Sequence, residues 1–204
     1  MAQPTPPKRT RAAGDHARAR IVERAAQLAT VEGLDGLSIG RLAEATGVAK
    51  SSVHALFGSK QDLQLATVYA ARASFLVEVV TPAFDAAPPG IQRLVALCEG
   101  FLSYVERRVF PGGCFFVAAA AELGARPGRV HDEVRVIQQQ WSDLLLAEAR
   151  AAVDNGELPP ESDPAQVAFE LGVILAGTNL VAVLHDDNGA IERARAAIRA
   201  RLRY

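Results

Sequence analysis

Five polar side chains between positions 50 and 60, Lys50, Ser51, Ser52, His54 and Lys60, are the ones in this chain best suited to hydrogen-bond a phosphate or the edge of a base. Lysine donates as a point charge, serine donates and accepts, and histidine donates more strongly when protonated. Four of them fall on the outer edge of a short helix predicted for Lys50 to Phe57, whose inward residues are Val53, Leu56 and Phe57. The free first turn of such a helix presents unpaired N–H groups and the positive end of its dipole, both attractive to phosphate. Lys60 adds a further cation at the start of the next helix.

Other chemistry is poorly supplied. The chain has no Gly-rich phosphate loop, HExxH, G-x-S-x-G or Cys-x-x-Cys pattern. His16, His54, His131 and His185 are dispersed. Carboxylates follow His131 and His185 directly, but adjacent residues do not share a helix face, so no metal site and no cofactor is expected. Cys98 and Cys114 are too few for a disulfide framework, which suits a reducing, cytoplasmic setting. Cys114, after two glycines, is read as a buried inert thiol, with oxidant sensing as the alternative.

The elements that must position the polar edge are readable from periodicity and punctuation. A basic arm is expected over residues 1–15, with Arg9 or Arg11 able to track a minor groove. From His16 an amphipathic helix buries Ile21, Ala25, Leu28 and Ala29 and is capped by Gly33. Ser38 caps a second helix with Ile39, Leu42, Ala43 and Thr46 inside, and Gly47 supplies the left-handed turn that stops it. A fourth helix starts at Ser59 with Asp62 completing a capping box, buries Leu63, Ala66, Ala70 and Ala73, and is expected to end at Pro82. Later punctuation predicts helices at about 90–109, 114–124, 129–154, 163–185 and 190–203. Period-two alternation is absent, so the chain is expected to be all-α.

The second and third helices with their Gly turn have helix-turn-helix dimensions, over 38–57. The run Ile21 to Ala66, centred on "LSIGRLAEATGVAKSSVHALFGSKQDLQLA", resembles the DNA-binding domain of the TetR family of bacterial transcriptional regulators. The matching features are Glu32-Gly33 ending helix one, the Ser38 cap, "LAEATGV" at Leu42 to Val48, and F-x-S-K-x-x-L at Phe57 to Leu63. The resemblance implies DNA contact through Ser38, Lys50, Ser51, Ser52, His54 and Lys60. His54 stands where the family usually has a phosphate-binding Tyr, so that contact is expected in altered form.

The resemblance also divides the chain into a DNA-binding domain at 16–78 and a helical ligand-binding and dimerisation domain at 79–204. Charge follows this division. Residues 1–60 carry nine basic and five acidic groups, while the whole chain has a net charge of −1. Phe101, Tyr104, Phe115, Phe116, Trp141, Phe169 and Asn179 are candidates for a pocket between helices, suited to an uncharged or weakly polar small organic ligand. The segment Ala165 to Leu184 is apolar on nearly every face, yet Glu170 and Asn179 within it argue against a membrane span. A homodimer is therefore expected through Phe169, Val173, Ala176, Gly177 and Leu180, joined by Ile191, Ala194, Ile198 and Leu202 of the last helix. The function expected is a non-enzymatic repressor released from a palindromic double-stranded operator by its ligand. The alternatives are a helical protein-binding adaptor or a helical enzyme.

Overall fold

The computed structural model describes residues 11–203, and among these the chain is helical with no strand. Helix α1 spans Arg11–Glu32, α2 Ile39–Thr46, α3 Lys50–Phe57 and α4 Lys60–Phe75. A π-helical turn, Leu76–Val80, joins α4 to α5, Thr81–Ala86. Helices α6 (Ile91–Glu106), α7 (Phe115–Leu123), α8 (Arg129–Asp154), α9 (Pro164–Leu184) and α10 (Gly189–Leu202) follow.

The local signals act as the residue types dictate. Ser38 Oγ accepts the Arg41 N–H at 3.1 Å, and Gly47 takes a left-handed conformation at φ 66°, so α2 starts and stops where its caps require. Ser59 Oγ accepts the Asp62 N–H at 3.1 Å and donates to its carboxylate at 2.6 Å; the Ser59 N–H bonds the Phe57 carbonyl instead of Asp62, so half of the expected capping box is formed. Leu34, Leu37, Leu42, Val53 and Leu63 are fully buried between α1, α2, α3 and α4 and hold the first unit together.

Three expectations need correction here. Helix α1 begins at Arg11, ahead of His16, so the last five residues of the expected basic arm are helical; Arg9 lies outside the described residues. Pro82 does not stop the fourth helix. It sits in the first turn after the π segment, where a missing N–H costs least and the widened turn relieves the clash of its ring with the preceding carbonyls. The rod therefore runs on to Ala86 and breaks before Pro88-Pro89-Gly90. Ala73 is exposed, and α4 instead buries Gln64, Thr67, Val68, Ala71 and Phe75, because it packs on α1 at one end and on α8 at the other.

Phe75 is the hub of the second unit's core. Its ring meets Phe101, Tyr104, Phe116 and Trp141 edge-on at centroid distances of 5.2 to 6.2 Å, the geometry aromatic quadrupoles favour. Both cysteines are buried and free. Burial pushes the Cys114 thiol up to about 11 and the Cys98 thiol to about 12 from an ordinary 9.0, since a thiolate there would lack solvation. The folded protein is accordingly expected to resist iodoacetamide at pH 8 and to react at both sites only after unfolding. Because the unfolded chain sheds these protons first, stability falls as pH rises above about 9.

Candidate nucleic-acid interface and ligand cavity

Helix α3 lies with Val53 and Phe57 buried and Leu56 half-buried, so its opposite edge must face outward. Lys50, Ser51 and His54 are exposed on it and Ser52 is half-buried. Its N-cap, Ala49, makes no side-chain capping bond; the Ser52 N–H is taken by the Ala49 carbonyl at 2.9 Å, which leaves the Lys50 and Ser51 N–H groups open to an anion. The Lys50 ammonium lies beside Gly40, 3.9 Å from where a β-carbon would stand, so α2 brings a small residue to the place where the cation passes. Ser38 is exposed but committed as the α2 cap. Lys60 Nζ donates to the Asp35 carbonyl at 2.7 Å while remaining exposed. Sequence reading missed Arg18, whose guanidinium lies 5.3 Å over the Phe57 ring beside α3.

A cavity of about 680 Å³ opens between α4, α8 and α9. Phe101, Phe116, Trp141 and Phe169 line it, as does Cys114. The other three pocket candidates do not. Asn179 Oδ1 accepts the Cys114 N–H at 2.7 Å, holding the start of α7. Phe115 is buried against Phe110 and Phe116, and Tyr104 is buried behind Phe75 and Phe110 with its hydroxyl unpartnered. Arg72, Phe75, Leu76, Val80 and Phe84, spaced along one side of the long rod, line the cavity and were missed; the amphipathic spacing of 72, 75 and 76 was the available signal.

Helix α9 leaves an apolar stripe outside. Phe169 is 65% exposed, Val173 54%, Leu180 60% and Leu184 70%. A β-carbon added at Gly172 or Gly177 would meet nothing within 4 Å, so another helix can approach closely. The α10 residues Ile191, Ala194, Ile198 and Leu202 are buried in their own subunit, which removes them from any interface. An apolar stripe satisfies its partner whether that partner is internal or external, and here α6 and α9 take it. The outer face of α10 is Arg193, Ala196, Ala197 and Ala200.

The two units are joined by α7. At its beginning Cys114, Phe116 and Val117 border the cavity, and the Glu122 carboxylate in its last turn accepts the Leu34 and Asp35 N–H groups at 2.6 and 2.8 Å. Arg126 pairs with Asp35 at 2.8 Å and, with Gln64, lowers the Asp35 carboxyl below its usual range. The turn that leads into α2 is thus gripped from the second unit.

Comparison with known proteins agrees with this geometry. The family "Bacterial regulatory proteins, tetR family" matches residues 21–67, and "Tetracyclin repressor-like, C-terminal domain" matches 90–198. A TetR transcriptional regulator from Chloroflexus aurantiacus J-10-FL is 26% identical with a TM-score of 0.79, covering 92% of this chain and 94% of its own. A TetR-family regulator from Agrobacterium tumefaciens is 20% identical with a TM-score of 0.80, covering 91% and 97%. A transcriptional regulator from Saccharomonospora viridis in complex with choline is 19% identical with a TM-score of 0.74, covering 93% and 97%. No curated protein matches the chain. Regulators of this kind are DNA-binding proteins rather than enzymes. The helix-turn-helix of α2 and α3 and the helical second unit together make this chain a member of the TetR family of transcriptional regulators.

Proposed function

We propose that the protein is a cytoplasmic homodimeric repressor that binds a palindromic operator and is released by a small organic ligand held in the α4/α8/α9 cavity. The observation that carries this is the amphipathic seating of α3, with Val53 and Phe57 anchoring an exposed, uncapped polar edge. Lys50, Ser51, Ser52, His54 and Lys60 make the DNA contacts, with Ser38 holding α2 as the brace. Dimerisation is supported by the exposed α9 stripe of Phe169, Val173, Leu180 and Leu184. Paired recognition helices about 34 Å apart meet successive major-groove faces, which suits a two-fold operator. Phe169 and Val173 belong both to that stripe and to the cavity lining, so a second copy closes the cavity's outer side. By length and composition α9 could cross a membrane, but it packs on α6, α8 and α10 and spends Asn179 on the chain's own backbone, which supports the dimer instead.

The test is duplex binding at increasing salt. A steep linear fall of log affinity with log salt is the expected result. Binding to no duplex at low salt, with capture of another protein instead, would favour the adaptor.

The ligand's effect on DNA has a route. A molecule wedged beside Phe116 and Val117 shifts α7, and Glu122 transmits the shift to the turn before α2. Glu122→Ala is expected to leave the ligand-free affinity for DNA within about twofold while shrinking the ligand-induced drop by at least about fivefold, the range typical of coupling energies. Fluorescence anisotropy of a labelled duplex with and without ligand checks this. An unchanged drop removes α7 from the route.

A further inference from the structure

We infer that the cavity takes an elongated amphipathic mono-anion, a monocarboxylate whose head meets Arg72 and whose apolar body lies along the rings of Phe75, Phe101 and Trp141. This rests on the reading of the cavity as the effector site and adds its chemical class.

Arg72, Phe75 and Leu76 stand at i, i+3 and i+4 on α4, so one face of that helix carries a cation directly beside an aromatic wall. Arg72 is half-buried, and the hydrogen bond recorded for its guanidinium goes to Gln140 Oε1 at 3.1 Å. No carboxylate among the described residues lies within ion-pairing distance of it. The other half-buried arginines of the second unit are matched: Arg93 with Glu148, Arg108 with Asp186, Arg195 with Glu99, Glu106 and Glu192, and Arg201 with Glu170. A guanidinium has five donors in a planar fork that fits a carboxylate, so a half-buried one bonded to a single neutral amide at the edge of a cavity has unused capacity for an anion.

The other charges sort the alternatives. Asp143 also borders the cavity, but it is exposed and accepts from Gln139 Nε2 at 2.9 Å, placing it on the outer rim. No lysine lines the cavity, so a di-anion would leave one charge unmatched. A cationic head would be repelled by Arg72, and the carboxylate of the lining, Asp143, is held at the rim by Gln139. Beyond the head, the lining continues along the rod from Arg72 to Phe84, about 18 Å at the helical rise, through Leu76 and Val80. An extended acyl chain or a linked aromatic system fits that length. Trp141, stacked on Phe101 at 6.2 Å and 24°, forms part of the wall and is the one tryptophan in the chain.

The test is titration of the full-length protein with decanoate, decanol and decyltrimethylammonium below their micellar concentrations, read by Trp141 fluorescence, for wild type and Arg72→Gln. Decanoate is expected to bind at least about tenfold tighter than decanol to the wild type, one charge-assisted contact's worth. Arg72→Gln is expected to erase that preference while leaving the decanol affinity unchanged. Decanol binding as tightly as decanoate, or decyltrimethylammonium binding best, overturns the anionic head but leaves the cavity as a ligand site. No fluorescence change with any of the three overturns the effector-site reading itself. The wild-type preference decides the matter even if the variant fails to fold.

Discussion

Lys50→Glu lowers affinity for duplex DNA by about a thousandfold at low salt while the fold and its melting temperature stay as they were. Lys50 is exposed on the first turn of α3, so reversing its charge disturbs no packing. At the DNA surface it replaces an attraction to phosphate by a repulsion and cancels the positive dipole end that the uncapped turn presents. A cost of about 2 kcal/mol at each of two half-sites gives about 4 kcal/mol for the dimer, or roughly three orders of magnitude. Because a phosphate contact carries no sequence information, every duplex should suffer alike and the salt slope should flatten. Ser51→Ala should instead alter which duplex is preferred, with a smaller change in overall affinity. Band shifts at several salt concentrations separate the two. A Lys50→Glu protein that binds normally would mean that α3 does not meet the DNA backbone there.

Leu180→Arg is expected to convert the proposed dimer to a folded monomer. Leu180 is 60% exposed, so arginine is accommodated in the isolated subunit. In a two-fold interface the substitution is made twice, bringing like charges together on an apolar stripe beside Gly177. The dimer should weaken by at least about a thousandfold, an unpaired buried charge costing several kcal/mol. Operator affinity should fall with it, since a monomer engages one half-site. Analytical ultracentrifugation and circular dichroism check this together. A Leu180→Arg protein that stays dimeric would move the interface off α9.

The elements legible in the sequence were those whose causes are local. Ser38, Gly47, Ser59 and Asp62 act within four residues of themselves, and the inward set of α3 follows from one turn of periodicity. What was misread depends on partners that periodicity does not name. The stripe Ile191, Ala194, Ile198 and Leu202 fits an internal or an external neighbour equally well, and only the packing of α10 on α6 and α9 decides. Asn179 in an apolar helix reads as a ligand group until its backbone partner Cys114 is found 65 positions away. Glu122 and its bonds to Leu34 and Asp35 span nearly half the chain and leave no local mark. Pro82 misled because a π turn absorbed it.

The central claim is that the exposed edge of α3 reads duplex DNA in two copies at once. Selection of bound sequences from a random duplex pool by the full-length protein tests it most directly, with Lys50→Glu run in parallel. An inverted repeat is expected to emerge, with half-sites centred about one helical turn apart, and Lys50→Glu is expected to recover nothing. Enrichment of a single asymmetric site, or the same repeat recovered by both proteins, would contradict it.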